Sequence, residues 1–299
     1  MNKWIDIVEV GPRDGLQNEP EWVPTDNKLT FIADLRAAGL RNIEVTSLVH
    51  PKAIPQLADA VDVLARLPMP KVSERFSVLV PNAKGLERAL EANAARKQDG
   101  QLINEVALLT AVSETFNQTN IRQSVEESLQ QMEILSKQAK ENGLSVRGYI
   151  STAFHCPYEG VISPDKTIAI ILRMQSMGLR EISIGDTIGK ATPHEVKDFL
   201  SKLLTETRPD NLALHFHDTN RLALENVGIA LSMGFSIFDS SAGGMGGCPY
   251  APGASGNLST DDLVRYLHKN GYTTGVDSTK LAEASNKLRE SINQNPSDK

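Results

Sequence analysis

Cysteine is scarce in this chain: two of 299 residues, Cys156 and Cys248, placed far apart. That excludes the disulfide framework of a small secreted domain and makes the reducing cytoplasm the expected compartment. Long apolar runs are absent too. None approaches the roughly 20 residues that a bilayer span requires, so no membrane partner is expected. The first predicted strand opens at Trp4, which leaves no room for a signal or transit segment, and no peroxisomal tripeptide closes the chain. Basic charge is not in excess. Lys and Arg number 31 against 37 Asp and Glu, a net charge of −6 with no basic stripe. Nucleic acid is therefore excluded as the expected partner, and an anionic substrate would need local cations instead of a global field. Linkers and low-complexity segments are missing as well. One domain over 1–299 is expected, with a polar tail that frays from about 292.

What is present is alternation. Hydrophobic residues make up 40% of the chain, enough for a full core. Short β-branched runs read as buried strands: Trp4–Val10, Asn42–Thr46, Phe76–Val80, Leu102–Leu109, Ser145–Thr152, Glu181–Gly185, Leu212–Phe216 and Ser236–Ser240. Amphipathic stretches separate them: Thr25–Ala38, Gln56–Arg66, Ala83–Ala95, Ile121–Glu141, Pro164–Met177, Pro193–Glu206 and Asn220–Met233. Ser163-Pro164 and Thr192-Pro193 read as an N-cap followed by a first-turn proline. Gly39, Gly143, Gly178 and Gly234 stand where a left-handed C-cap residue belongs. Eight such units predict an α/β fold, a closed (β/α)8 TIM barrel, with two helices after the last strand and hence one additional C-terminal helix. An open nucleotide-binding sheet would show the same alternation, but its Gly-x-Gly-x-x-Gly after the first strand is missing.

Four segments carry the chemistry: Glu9-Val-Gly-Pro-Arg-Asp-Gly-Leu-Gln-Asn-Glu19, His215-Phe-His217, Gly243-Gly-Met-Gly-Gly-Cys-Pro-Tyr250 and Gly253-Ala-Ser-Gly-Asn257. Each follows or ends a predicted strand, at the rim where barrel enzymes keep their reactive groups. Because a barrel closes, its first, seventh and eighth strands are neighbours. His215 and His217 share a strand face. With Asp14 and Asn257 they make a set of two nitrogens and two oxygens, a donor mixture that suits Mg²⁺ or Mn²⁺ better than structural zinc. Taken singly, a His-x-His pair is more often a pair of hydrogen-bonded rim residues, and Asp14 a turn residue; the conjunction points to a metal.

Arg13 is expected to hold a developing oxyanion, or else to make a structural ion pair with Glu9, Glu19 or Glu44. Glu44 ends the second strand and would orient Arg13 or waters around the ion. Asp186 ends the sixth and would do likewise, or cap the following helix. Cys248 lies in a glycine-rich run, read as a mobile lid bringing a thiol proton donor to the site; the alternatives are a tight corner with an inert cysteine, or a phosphate loop lacking its Gly-Lys-Ser/Thr ending. Cys156 reads as packing. His155 is left open, and His50, His194 and His268 read as surface or helix-end residues. Lys52, Lys84 and Lys190 are rim candidates for an anionic ligand.

These motifs, with Gly185-Asp-Thr-Ile-Gly189 and His215-Phe-His-Asp218, resemble the 3-hydroxy-3-methylglutaryl-coenzyme A lyase family over essentially the whole chain. The resemblance implies a metal-dependent barrel lyase that splits 3-hydroxy-3-methylglutaryl-CoA into acetyl-CoA and acetoacetate. It implies that Asp14, His215, His217 and Asn257 hold the ion, that Arg13, Glu44 and Cys248 serve catalysis, and that the enzyme is a homodimer acting on an acyl-CoA. The family's loop commonly reads Ser-Val-Ala-Gly-Leu-Gly-Gly-Cys; here it is Ser241-Ala-Gly-Gly-Met-Gly-Gly-Cys248, which leaves the preferred acyl chain open. Leucine degradation, ketone-body formation and a longer branched acyl-CoA route all stay open as settings. In the retro-Claisen step the open choices for the base are Asp14 and His217. The rivals are a Claisen synthase on the same barrel, which would need a further regulatory domain, an aldolase or carboxyl transferase, and a non-catalytic barrel that senses metal or acyl-CoA.

Overall fold

Eight parallel strands close into a barrel. The computed structural model describes residues 3–246 and 256–294; Cys248 and the end of the expected polar tail, 295–299, lie outside the described residues. The barrel strands are β1 (Asp6–Glu9), β2 (Asn42–Ser47), β3 (Arg75–Leu79), β4 (Glu105–Ala111), β5 (Ser145–Ser151), β8 (Glu181–Asp186), β9 (Leu212–Phe216) and β10 (Ile237–Ser240). A small antiparallel hairpin, β6 (His155–Cys156) and β7 (Gly160–Val161), follows β5. The helices are α1 (Thr25–Ala37), α2 (Ala60–Arg66), α3 (Ala83–Ala95), α4 (Glu114–Ile121), α5 (Val125–Glu141), α6 (Pro164–Ser176), α7 (Pro193–Leu203), α8 (Ala223–Ser232), α9 (Thr260–Lys269) and α10 (Ser278–Gln294).

Local chemistry sets the boundaries. Thr192 caps α7, its hydroxyl accepting from the Glu195 N–H while the Glu195 carboxylate accepts from the Thr192 N–H. Ser163 takes the cap position of α6 without a side-chain hydrogen bond. The four C-cap glycines, Gly39, Gly143, Gly178 and Gly234, all have positive φ, between 68° and 99°. The helix expected over 121–141 starts only at Val125, and Ile121 instead closes a separate helix, α4. Arg122 turns left-handed at φ 58° and ends α4, and Ser124 with Glu127 then boxes the start of α5. The segment 56–66 likewise breaks into a 3₁₀ turn, Pro55–Leu57, and α2. The fourth strand starts at Glu105, and the Asn104 side chain just before it accepts from the Phe76 N–H.

Successive strand residues alternate between two environments. Phe76, Val106, Ile182, Leu212, Leu214 and Phe238 face the helices and join the main core cluster. The opposite set faces the lumen. Two small apolar groups occupy it, Val8, Val10, Ala213 and Ile237, and Leu79, Ala107 and Tyr149, and polar side chains fill the space between. Register aligns Gly185 with His215 and His215 with Asp239, so these three share the lumen face. α10 is the additional helix. It packs on α1 through Lys287–Asp34, and its Arg289 donates to the Gly243 carbonyl.

Candidate active site

The chain leaves β1 through a buried carboxylate. Glu9 accepts from the Gly11 N–H at 2.7 Å, the Ala242 N–H at 2.9 Å and the Thr260 hydroxyl at 2.7 Å. Gly11–Gly15 then forms a single π turn, in which the N–H groups of Arg13, Asp14 and Gly15 all donate to the Val10 carbonyl. Such turns recur at functional sites. Gly15 is closely packed: a Cβ there would lie 2.6 Å from the Ser241 Oγ and 3.3 Å from the Met245 Cβ. This turn sets Arg13 and Asp14 over the mouth of the barrel.

Arg13 donates from Nε to Glu44 Oε2 at 2.5 Å and from Nη1 to Asp14 Oδ1 at 2.6 Å, with its guanidinium carbon 5.4 Å from the Tyr149 ring centre. Tyr149 in turn donates to Glu44 Oε2 at 3.1 Å. Burial works against the Arg13 charge, but Glu44 and Asp14 outweigh it and raise its pKa. Burial also pushes the Glu44 carboxyl up, with Arg13 pulling against it. For Asp14 the balance reverses: burial is overcome by Arg13, His215 and His217, and the carboxyl is held below its ordinary value.

Asp14 is shared. Oδ1 also accepts from Gln17 Nε2 at 2.8 Å; Oδ2 accepts from Asn257 Nδ2 at 2.9 Å and lies 4.0 Å from His215 Nε2. His215 and His217 end β9 with ring centres 5.2 Å apart. One ligand atom each from Asp14, His215 and His217 falls within 4.8 Å of the others. Burial, then the neighbouring His215, lowers the His217 pKa to about 3, so its ring is neutral and its lone pair free. His217 Nδ1 and Asn257 Oδ1 are buried without a hydrogen-bond partner among the described residues. Buried polar atoms are rarely left so, and an ion is one standard resolution. The donors fit a divalent cation: a carboxylate, two imidazoles and an amide oxygen, with no thiolate. They line a cavity of about 680 Å³ together with Arg13 and Tyr149, large enough for a ligand of ordinary size.

Asp14, His215, His217, Asn257, Arg13 and Glu44 are thus brought together. Asp186 is not, and of its two readings, orienting the site or capping the next helix, its hydrogen bonds lie on the side of the second. It aligns with Phe216, one residue out of phase with His215, and so points away from the lumen. Its carboxylate accepts from the Lys190 N–H at 3.1 Å and the Ala191 N–H at 3.0 Å, closing the turn before α7, and burial lifts its pKa to about 6. Cys248 and the proposed lid tip lie outside the described residues. The run leading to it is anchored: Gly243, Gly244 and Gly246 have φ of 71°, 63° and 98°, and the Gly243 N–H donates to Asp261 Oδ2 at 2.7 Å. The Cys156 thiol is buried against Ser113 Oγ, a packing role. His155 pairs with Glu195 at 3.0 Å. His268 meets Thr274 at a helix end, whereas His50 lines the cavity and none of Lys52, Lys84 or Lys190 does.

Three lumen residues were missed from sequence: Arg147, Tyr149 and Asp239. Their signal is a charge or phenol in the middle of a buried strand, Arg147 and Tyr149 in β5 and Asp239 in β10. Arg147 donates to Glu181 Oε1 and Asp239 Oδ1, and its guanidinium carbon lies 4.6 Å from the Tyr149 ring centre.

Comparison with known proteins gives a consistent answer. The HMGL-like family model matches residues 4–288. The chain is 48% identical to the mitochondrial hydroxymethylglutaryl-CoA lyase of Bos taurus, over 99% of this chain and 88% of that one. It is 44% identical to the hydroxymethylglutaryl-CoA lyase YngG of Bacillus subtilis, over 97% and 94%. Among solved structures, an HMG-CoA lyase from Bacillus subtilis superposes with a TM-score of 0.93 at 43% identity, covering 98% of this chain and 96% of that one. An HMG-CoA lyase from Acinetobacter baumannii, in complex with coenzyme A and 3-methylmalate, gives 0.88 at 38% identity, covering 97% and 92%.

Proposed function

The chain belongs to the HMGL-like family, and from that premise we propose that it is a lyase cleaving 3-hydroxy-3-methylglutaryl-CoA to acetyl-CoA and acetoacetate. The observation that supports this most is the meeting of the four donors, Asp14, His215, His217 and Asn257, with the Arg13–Glu44 pair at one cavity. When bound there, a divalent cation, Mg²⁺ or Mn²⁺, supplies Lewis acidity toward oxygens of the acyl group.

The chain's own residues do the rest. The reaction removes the proton of the tertiary hydroxyl, breaks the bond between that carbon and the thioester-bearing carbon, and leaves a thioester enolate that must be protonated at carbon. Arg13 uses Nε on Glu44 and Nη1 on Asp14. Its Nη2 is the donor for the enolate oxygen, an interaction that grows as charge moves there and is worth about 3–4 kcal/mol in the transition state. Glu44 and the Tyr149 hydroxyl hold the guanidinium in place. Asp14 and His217 both line the cavity, and the hydroxyl proton goes to one of these two candidate bases. Asp186 holds the turn from Asp186 to Ala191 beside the site. Cys248 is carried from the sequence as the donor to the enolate carbon. Cys248→Ala then lowers kcat more than it raises KM, and an unchanged kcat removes the thiol from the reaction.

A single barrel domain, a homodimer and a cytoplasmic location complete the proposal. Leucine degradation or ketone-body formation would be its setting. The single domain is supported by the span of the family match, and the homodimer by family resemblance. No described helix is long and apolar enough to cross a membrane. The test is acetoacetate release from 3-hydroxy-3-methylglutaryl-CoA with and without chelator, beside a panel of longer acyl-CoA substrates. Turnover abolished by chelator and restored by Mg²⁺ or Mn²⁺ is expected. Binding without turnover would identify a sensor, and a higher kcat/KM on a longer chain would change the substrate.

A further inference from the structure

Asp239 stands where three strands of the lumen converge on one carboxylate. Its Oδ1 accepts from Arg147 Nη2; its Oδ2 accepts from Ser183 Oγ at 2.7 Å and faces His215 Nδ1 at 3.2 Å. Arg147 reaches it from β5, across the lumen, since β8 and β9 separate β5 from β10 around the wall. Arg147 is itself fixed by Glu181, at 2.6 Å from Nε, and by the Tyr149 ring. Asp239 is 1% exposed and Arg147 fully buried, so water does not compete for either. The carboxylate therefore has one orientation.

That orientation determines which nitrogen of His215 is protonated. An ionised carboxylate only accepts, so Nδ1 must carry the proton and Nε2 keeps its lone pair. Nε2 is the atom on the Asp14 side, 4.0 Å from Oδ2. His217 has no such support, its Nδ1 being without a partner among the described residues. Asp239 is the anionic partner of a buried ion pair with Arg147. We propose that Asp239 is the positioning residue of this centre. With Arg147 behind it, it fixes the Nδ1-protonated tautomer of His215 and so presents Nε2 to the cation. The proposal rests on the assignment of His215 as a cation ligand.

The geometry makes a sharp forecast for the nearly isosteric change Asp239→Asn. Arg147 Nη2 is a donor, so it holds the amide oxygen where Oδ1 was. The NH₂ group then takes the place of Oδ2 and donates one proton to Ser183 Oγ and one to His215 Nδ1. The opposite orientation would set two donors against each other. His215 is forced into the Nε2–H tautomer, with a proton where the cation belongs. Asp239→Ala imposes no tautomer and leaves Arg147 its Glu181 partner. The gentler-looking substitution is therefore the more damaging one. Outer partners of metal-bound histidines change affinity by about 10–100-fold; Asp239→Asn is expected near the upper end and Asp239→Ala near the lower.

The experiment is ¹⁵N-imidazole NMR of the whole protein in chelator, at a pH where the ring is neutral, with His215→Ala to assign the signals, followed by Mn²⁺ titration read by electron paramagnetic resonance. Wild type and Ser183→Ala should show Nδ1–H at His215, and Asp239→Asn should show Nε2–H and the larger loss of Mn²⁺ affinity. An Nε2–H tautomer in the wild-type spectrum overturns the proposal without any variant being needed. So does Asp239→Asn that keeps Nδ1–H and wild-type affinity. Wild-type Mn²⁺ affinity in His215→Ala would instead strike the cation assignment, and the tautomer in chelator would still be read separately.

Discussion

The two faces of the same eight strands are built from opposite materials. Outward they carry Phe76, Val106, Ile182, Leu212 and Phe238, all essentially without exposure and all in one apolar cluster. Inward they carry Arg147, Glu181, Ser183, His215, Asp239 and Glu44, equally buried. The outer face stabilises by removing apolar surface from water, about 25 cal/mol per Å². The inner face gains little of that, because taking charges out of water offsets much of what their pairing returns. The difference teaches that the inner charges are retained for placement. Each inner partner ends, within three links, on Arg13, Asp14 or His215. Stability and site geometry are divided between the two sides of one sheet.

The largest test of that division is on the outer face. Phe238→Ala should cost about 3–5 kcal/mol of stability, as large-to-small changes in a packed core do. Urea unfolding would measure it, and the remaining folded enzyme should keep its kcat. The matching inner change is Arg13→Gln. It should lower kcat by about 100–1,000-fold through the loss of one oriented donor, with much less effect on the unfolding midpoint. If both variants lost stability equally and activity equally, the two faces would not differ in the way described.

Glu9 probes the seam between the faces, since it ties β1 to Ala242 and Thr260. Burial raises its pKa from 4.5 to about 7, against the hydrogen bonds that lower it. In the unfolded chain the carboxyl ionises near 4.5 and in the folded protein only near 7. The stability tied to its protonated form is complete below pH 4.5 and is lost as pH rises to 7. The linked change is at most about 3 kcal/mol. Unfolding free energy of wild type minus that of Glu9→Gln, followed over this window, should fall with pH; a flat difference would contradict the shift. Smallest is Asp186→Ala. It removes the acceptor of two backbone N–H groups and should cost about 1–3 kcal/mol of stability, with a change in kcat well below that of Arg13→Gln. A loss of kcat as large as that of Arg13→Gln would return Asp186 to the chemistry.

Most of the outer face was legible in the sequence. Runs such as Glu181–Gly185 and Leu212–Phe216 announce buried strands, and the C-cap glycines fall where the helices stop. Donors at strand ends were legible too, because closure of the barrel makes Asp14, His215 and Asn257 neighbours wherever they lie in the chain. What sequence did not yield depends on pairing across the lumen. Nothing in the local pattern links Arg147 to Asp239, which meet only when β5 faces β10. The two readings of Asp186 were not separable for a related reason. A residue one position past the lumen-facing Gly185 points outward, and the phase of a strand end is not visible until register is known. The break between α4 and α5 was missed because Arg122 takes a left-handed conformation with no glycine to announce it.

The account turns on one cation gripped by Asp14, His215, His217 and Asn257. Anomalous diffraction at the manganese edge, from crystals grown with Mn²⁺, tests it most directly. A peak is expected within coordination distance of those four side chains, on the Nε2 side of His215. Full Mn²⁺ occupancy elsewhere, with no peak between these four residues, would contradict the account.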